Sequence, residues 1–396
     1  MTDQDRWLLP EGIEELLPPR AVRVEELRRR LLDLYRGWGY ELVTPPLIEY
    51  LESLLTGMGG DLDLQTFKLT DQLTGRLMGV RADITPQVAR IDAHRLKREA
   101  PVRLCYLDRV LRTRPQEFGG SRSPLQVGAE LYGHAGIESD VEILCLMLET
   151  LELTGVPDLH VDLGHVGIYR GLARAAGLNA EQEATLFDAL QRKALPELGA
   201  LLEGYGVHSA ARRGLAGLAE WNGGEECLDE AQAALRGVRH GVGEALAELR
   251  AIAVALRARR PGLPLYFDLA ELRGYHYQTG VVFAAFTPRY GQEVARGGRY
   301  DGIGRVFGRS RTATGFSADL QQLVSLAPAA AAPSDAPVGI FAPWGDDAAL
   351  QARVRELRVA GERVVSELPG QSGAAADLGC DRRLVERNGE WCVEPL

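Results

Sequence analysis

Nowhere does the chain stay apolar long enough to span a bilayer: a membrane helix needs about 18 consecutive apolar residues, and runs such as Val281 to Phe286 stop far short. Its N-terminus, MTDQDRWLLPEG, lacks a basic stretch followed by a hydrophobic one, so export is not expected and a cytoplasmic protein is. Cysteine is scarce and odd in number. Cys105, Cys145, Cys227, Cys380 and Cys392 lie far apart with no CxxC pair, which excludes an evident disulfide framework and any zinc signature. No P-loop or HExxH occurs, and Gly302-Ile-Gly304-Arg-Val-Phe-Gly308 misses the dinucleotide-binding spacing. No metal or cofactor is therefore expected. Positive charge is also short, with 45 Lys and Arg against 55 Asp and Glu and a net charge of -10. That argues against a broad nucleic-acid footprint and leaves room for a local basic groove. No internal repeat is present.

What is there fills 396 residues, more than one domain usually needs. Val24, Leu27, Leu31 and Leu34 recur at helical steps over 20 to 37, with Gly37 as the stop. A strand over Tyr40 to Thr44 follows, and Pro45-Pro46 then forces the backbone out of any central ladder. Short β-like pieces from Phe67 to Val80 flank Thr74-Gly75. A helix over 86 to 97 follows, with Thr85 as its cap and Pro86 at its first position. Val102 to Arg114 and Leu125 to Tyr132 read as an antiparallel hairpin with a long tip, Pro115 to Pro124. A helix over 138 to 153 and a strand over His160 to Leu163 come next. The stretch from about 168 to 260 is rich in Ala, Leu, Arg and Glu, the texture of a helical insertion. Strand signals return at Leu265 to Asp268, Val281 to Phe286 and Gln292 to Arg296. GFSADLQQL, from Gly315, reads as a glycine turn entering an apolar helix. The Pro/Ala-rich 326 to 337 is a linker by composition, and 338 to 396 reads as a small βαβ-like unit.

Four places put polar groups in apolar β context. Asp83 and Thr85 are two apart and would share a strand face if the chain stays extended; Gln126 and Glu130, four apart, would do the same. Leu272-Arg-Gly-Tyr-His-Tyr-Gln-Thr-Gly280 sets Arg273 near Tyr277, and Ala295-Arg-Gly-Gly-Arg-Tyr300 offers a backbone approach and a ring. Singly, each has a plain reading as a helix cap, an exposed strand face or a turn with packed aromatics. Together they supply two anions, a bidentate cation, neutral hydrogen-bonding partners and aromatic faces. This is a set for an amino acid with a basic ring, its carboxylate on Arg273 and its ammonium and imidazole on the acids.

The order GYELVTPPLIEY, MGVRADITPQVARI, VLRTRPQEFGGSRSPLQVGAELYG, LRGYHYQTG, ARGGRYDGIG and TATGFSADLQQL resembles the catalytic domain of the class II histidyl-tRNA synthetases over roughly residues 8 to 325. The resemblance implies an α+β fold, an antiparallel sheet flanked by helices over 1 to 325, with motif one (20 to 46) forming a homodimer interface. It also implies a histidine pocket made of Asp83, Thr85, Gln126, Glu130, Arg273, Tyr277 and Tyr300. Asp83 stands where the synthetases carry Glu, and Gln278 where they carry a second Tyr.

The motifs that handle ATP in that family are altered. Gln322 occupies the position of the third motif's phosphate-binding arginine, Arg114 that of an ATP-handling acid, and Gly120 that of another arginine, while Arg112 is kept. A cation missing where charge develops costs on the order of 10²-fold or more in rate. The unit after 337 is also shorter than an anticodon-binding domain, so tRNA is not expected as a partner. A histidine pocket joined to altered ATP motifs resembles the regulatory subunits of ATP phosphoribosyltransferase. Those are non-catalytic partners of a short-form catalytic subunit in the first step of histidine biosynthesis, with L-histidine as feedback inhibitor. A divergent histidyl-tRNA synthetase is the alternative.

Overall fold

The structure is a computed structural model that describes residues 7–56, 60–115, 120–272, 274–275, 277–328 and 339–396. Arg273, part of the hairpin tip (116–119) and most of the Pro/Ala linker (329–338) lie outside the described residues. The chain divides into two compact units, Met1–Ala331 and Ala332–Leu396.

Among the described residues the larger unit has twelve strands: β1 (Glu41–Leu42), β2 (Ile48–Tyr50), β3 (Phe67–Thr70), β4 (Leu77–Val80), β5 (Val102–Arg109), β6 (Leu125–Tyr132), β7 (His160–His165), β8 (Asn222–Gly223), β9 (Leu265–Asp268), β10 (Val281–Thr287), β11 (Tyr290–Arg299) and β12 (Ala313–Asp319). Nine form one sheet in the order β1-β5-β6-β12-β11-β10-β7-β9-β8, and β2-β4-β3 form a small antiparallel one. From β5 to β7 the large sheet is antiparallel, as expected. Near its margins the pairs β1·β5 and β7·β9 are parallel, because each joins strands separated by a long crossover rather than a hairpin.

The helix Ile137–Thr154 buries residues nearly all round, among them Ile143, Leu144, Leu146, Met147 and Leu151. It lies between β12 on one side and the helices Arg20–Gly37 and Val242–Arg259 on others, so no face of it needs to be polar. Arg20–Gly37 buries Val24, Leu27, Leu31 and Tyr35. Gly37 is still helical and the left-handed residue is Gly39 (φ 82°), which corrects the expected stop by two residues. Of the strand expected over Tyr40 to Thr44, only Glu41–Leu42 pair. The stretch expected as a helical insertion holds six helices between Val166 and Arg259. It also carries β8, a two-residue strand that pairs with β9.

Two local expectations fail near the polar residues. The segment after β4 is not extended: Asp83 sits in a bend, and Thr85–Arg90 is α-helical before a π-helical turn, Ile91–Leu96, that ends at left-handed Lys97. Thr85 does not cap this helix, whose N-cap residue is Ile84. Gly315 lies within β12 rather than in a turn, and Asp319 is the cap of the helix Leu320–Leu326.

The smaller unit pairs β13 (Ile340–Ala342) in parallel with β14 (Val364–Ser366) across the helix Ala348–Val359. Two further strands, β15 (Arg382–Arg387) and β16 (Glu390–Pro395), add a hairpin. Its turn is Asn388-Gly389, both left-handed (φ 52° and 83°), as a two-residue hairpin loop requires. Ile340, Leu350, Val354, Leu357 and Leu384 form its core. Among the described residues no helix is long and apolar enough to cross a membrane.

Candidate functional site

Residues paired across neighbouring strands share a face of the sheet, and the register of four strands builds the site floor from three such rows. One row runs Gln126–Asp319, the next Gly128–Ser317–Arg296–Ala284, and the third Glu130–Gly315–Gly298–Val282. The alternate residues Val127, Ala129 and Phe316 go into the core. Gln126 and Glu130 thus share a face, as their spacing implies. The glycines keep the floor low. A Cβ on Gly315 would run into the Glu130 carboxylate, and one on Gly128 into the Tyr106 hydroxyl.

Glu130 is 1% exposed, and three hydroxyls hold its side chain. Thr85 Oγ1 donates to Oε1 at 2.9 Å, Tyr106 to Oε1 at 3.1 Å, and Tyr300 to Oε2. The Tyr300 ring packs edge-on against Tyr132, centroids 6.4 Å apart. Burial outweighs these hydrogen bonds and pushes the Glu130 carboxyl up to about 8. Burial also holds the Tyr300 and Tyr106 phenols well above their ordinary value, with the Glu130 charge next in weight.

Asp83 Oδ1 accepts from Thr85 N at 2.9 Å and from Gln126 Nε2 at 3.0 Å, while Gln126 Oε1 accepts from Ile84 N at 3.0 Å. Gln126 therefore braces the Asp83–Thr85 bend from behind. Asp83, Thr85, Glu130, Tyr277 and Tyr300 line one cavity of about 380 Å³, and Gln126 does not reach its surface. Arg273 falls outside the described residues; of its neighbours, Gly274 (φ 71°) lines the cavity and Leu272 is buried in the core. The helix Ala180–Gln191 closes the far side with Phe187 and Gln191, Phe187 stacked on Tyr275 at 4.8 Å.

A second chamber, about 60 Å³, lies beside the first and is lined by Arg112, Gln126, Glu293, Arg296, Asp319 and Gln322. Arg296 and Ser317 border both. Asp319 is spent on structure, accepting from Leu125 N at 3.1 Å and Gln321 N at 3.0 Å. Burial raises its carboxyl. Arg114 is exposed and Gly120 half-buried, and neither lines either cavity. Among the described residues, no group of three or more His, Cys, Asp or Glu could hold a metal ion.

Sequence reasoning passed over Tyr106, Arg296 and the pair Phe187 and Gln191. Arg296 stood within a stretch already singled out, two residues from Gly298 and so on its face. Tyr106 and the insertion residues come together with the others only through strand register and tertiary packing, for which no local signal exists.

The chain is similar in sequence and fold to known proteins. Residues 12–323 match the family described as Histidyl-tRNA synthetase, and residues 337–394 the ATP phosphoribosyltransferase subunit HisZ C-terminal domain. The chain is 61% identical over 393 residues to an ATP phosphoribosyltransferase regulatory subunit of Alkalilimnicola ehrlichii, covering 99% of this chain and 98% of that protein. It is 62% identical over 399 residues to one of Thioalkalivibrio sulfidiphilus, covering all of both. Among solved structures, an ATP phosphoribosyltransferase regulatory subunit/histidyl-tRNA synthetase from Bacillus halodurans superposes with TM-score 0.81 at 28% identity, over 94% of this chain and 95% of that one. Histidyl-tRNA synthetase from Nostoc superposes with TM-score 0.76 at 20% identity, over 96% and 91%, a likeness of fold.

Proposed function

The chain belongs to the family of ATP phosphoribosyltransferase regulatory subunits, and from that premise we propose that it is the histidine-sensing partner of a short-form catalytic subunit. In this reading the catalytic subunit needs it for activity and L-histidine reverses the activation. The observation that carries it is the pairing of an intact polar cavity with a reduced neighbour. Acids, hydroxyls and phenols suited to an ammonium and an imidazole line a space large enough for an amino acid. The adjoining chamber, bordered by Gln322, holds about 60 Å³, far below the roughly 300 Å³ at which ligand pockets begin. A synthetase needs that second space for ATP, and the regulatory C-terminal match over 337–394 favours the regulatory reading over the synthetase alternative.

Histidine binds, on this reading, through Asp83, Thr85, Glu130, Tyr277 and Tyr300, with Gln126 as a brace and Arg273 as a further member of the set. Residues 1–325 form the synthetase-like domain, 326–337 the linker and 338–396 the reduced domain, with tRNA not a partner and the cytoplasm the compartment. The homodimer forms through the motif-one region. Exposed Leu42, Leu47 and Ile48 beside the two prolines support this, since apolar groups gathered at a sheet margin are what an interface covers.

The test is phosphoribosyl-ATP formation by the purified short-form catalytic subunit of the same organism, alone, with this chain, and with this chain plus histidine. Activation that histidine reverses is the expected result. No activation, combined with histidine-dependent exchange of pyrophosphate into ATP by this chain alone, would overturn the proposal.

A further inference from the structure

Charge around the larger cavity is lopsided. Asp83, Glu130 and Glu271 line it, and Arg296 is the one cation among its described lining residues. Arg296 occupies the middle row of the floor, flanked by Ser317 on β12 and Ala284 on β10. Gly128 follows Ser317 in that row, and the Tyr106 hydroxyl lies over it. The guanidinium, 37% exposed, pairs with Glu293 Oε1 at 3.2 Å. It borders both chambers, so it stands at the passage between them.

An amino acid brings one carboxylate into this cavity. Among neutral donors and acids, a guanidinium with its paired N–H donors is the charge-assisted partner for that group. Resting on the histidine reading of the cavity, we propose that Arg296 binds the ligand's carboxylate at the passage between the chambers, exchanging Glu293 for it. Arg296 thereby selects an α-amino acid over the corresponding amine. The helix after Asp319 carries no cation here, and Arg296 offers one from β11, the strand next to β12.

The test compares L-histidine with histamine, which keeps the ring and the ammonium and lacks the carboxylate, by calorimetry on the full-length protein. The wild-type protein is expected to prefer histidine by on the order of 10- to 100-fold, the range of charge-assisted hydrogen bonds. Arg296→Ala should lose most of that preference by weakening histidine without weakening histamine, and Arg296→Lys should keep part of it. Glu293→Gln should tighten histidine and leave histamine alone. That arm decides the matter if Arg296→Ala does not fold: equal effects on both ligands overturn the inference. So does a preference that survives Arg296→Ala, or one abolished by Arg273→Ala and untouched at Arg296. A wild-type protein that binds neither ligand overturns the histidine reading itself, and this inference with it.

Discussion

Thr85 Oγ1 lies 2.9 Å from Glu130 Oε1, and the contact ties the first residue of a helix to the middle of a strand 45 positions away. With the hydroxyl turned to the floor, the N–H groups at the helix start are met by other side chains, Thr85 N by Asp83 Oδ1 and Ile84 N by Gln126 Oε1. Thr85→Val keeps the shape and removes the donor. It should lower stability by about 1–2 kcal/mol, the value of a hydrogen bond to a buried acid, and weaken histidine binding as well. Urea denaturation and calorimetry check both. A variant as stable as the parent would mean the contact carries no weight.

The Glu130 carboxyl gives a pH dependence with a definite sign. Burial raises it from an ordinary 4.5 to about 8, so between those values the folded protein holds a proton that the unfolded chain has released. Stability from this group is complete below the lower value, falls as pH rises through the window, and is gone above about 8. Comparing denaturant midpoints of the parent and Glu130→Gln across the window isolates the effect, because the amide does not titrate. A difference that stays constant with pH would show that Glu130 ionises normally in the fold.

Gly315→Ala adds one methyl where the Glu130 carboxylate already lies. The strand cannot retreat without breaking its ladders to β6 and β11. A loss of about 1–3 kcal/mol is expected, as for overpacked cores, together with lost histidine affinity. Full affinity in this variant would place the ligand elsewhere.

Restoring a single motif residue should not restore a synthetase. Gln322→Arg returns a guanidinium to a chamber of about 60 Å³, and histidine-dependent pyrophosphate exchange should stay at background. Measurable exchange would show that charge, and not space, is what the chamber lacks.

The site also depends on a buried clamp behind it. Arg299, next to Tyr300, donates to Asp140 Oδ2 at 2.7 Å, to Ser139 Oγ at 2.8 Å and to the His134 and Gly136 carbonyls. Arg299→Ala leaves Asp140, 2% exposed, as a buried acid without its cation, at an expected cost of about 3–5 kcal/mol. Equilibrium unfolding measures it, and a loss below 1 kcal/mol would remove the clamp from the account.

Much of this was legible beforehand because it depends on short-range pattern. The helices Arg20–Gly37 and Ile137–Thr154 follow from apolar spacing, and the shared face of Gln126 and Glu130 follows from strand parity. What the pattern could not carry was competition between partners. Thr85 before Pro86 is a sound capping signal, yet a buried carboxylate outbids a helix end for the hydroxyl. Gly315 looks like punctuation and is in fact a close approach between strands, which differ only in what lies across from them. The β15–β16 hairpin was a missed local signal, since Asn388-Gly389 is plain in the sequence. Arg296 needed the register of β11 against β12, which no single stretch encodes.

The low floor at Gly128 and Gly315 has a genetic side. Every single-base change in a glycine codon that alters the residue introduces at least a Cβ, so these two positions offer no small steps; a variant there either keeps the floor or fills it. Gradual change in the shape of the cavity is left to positions that already carry a side chain, such as Phe187, Gln191 and Tyr277.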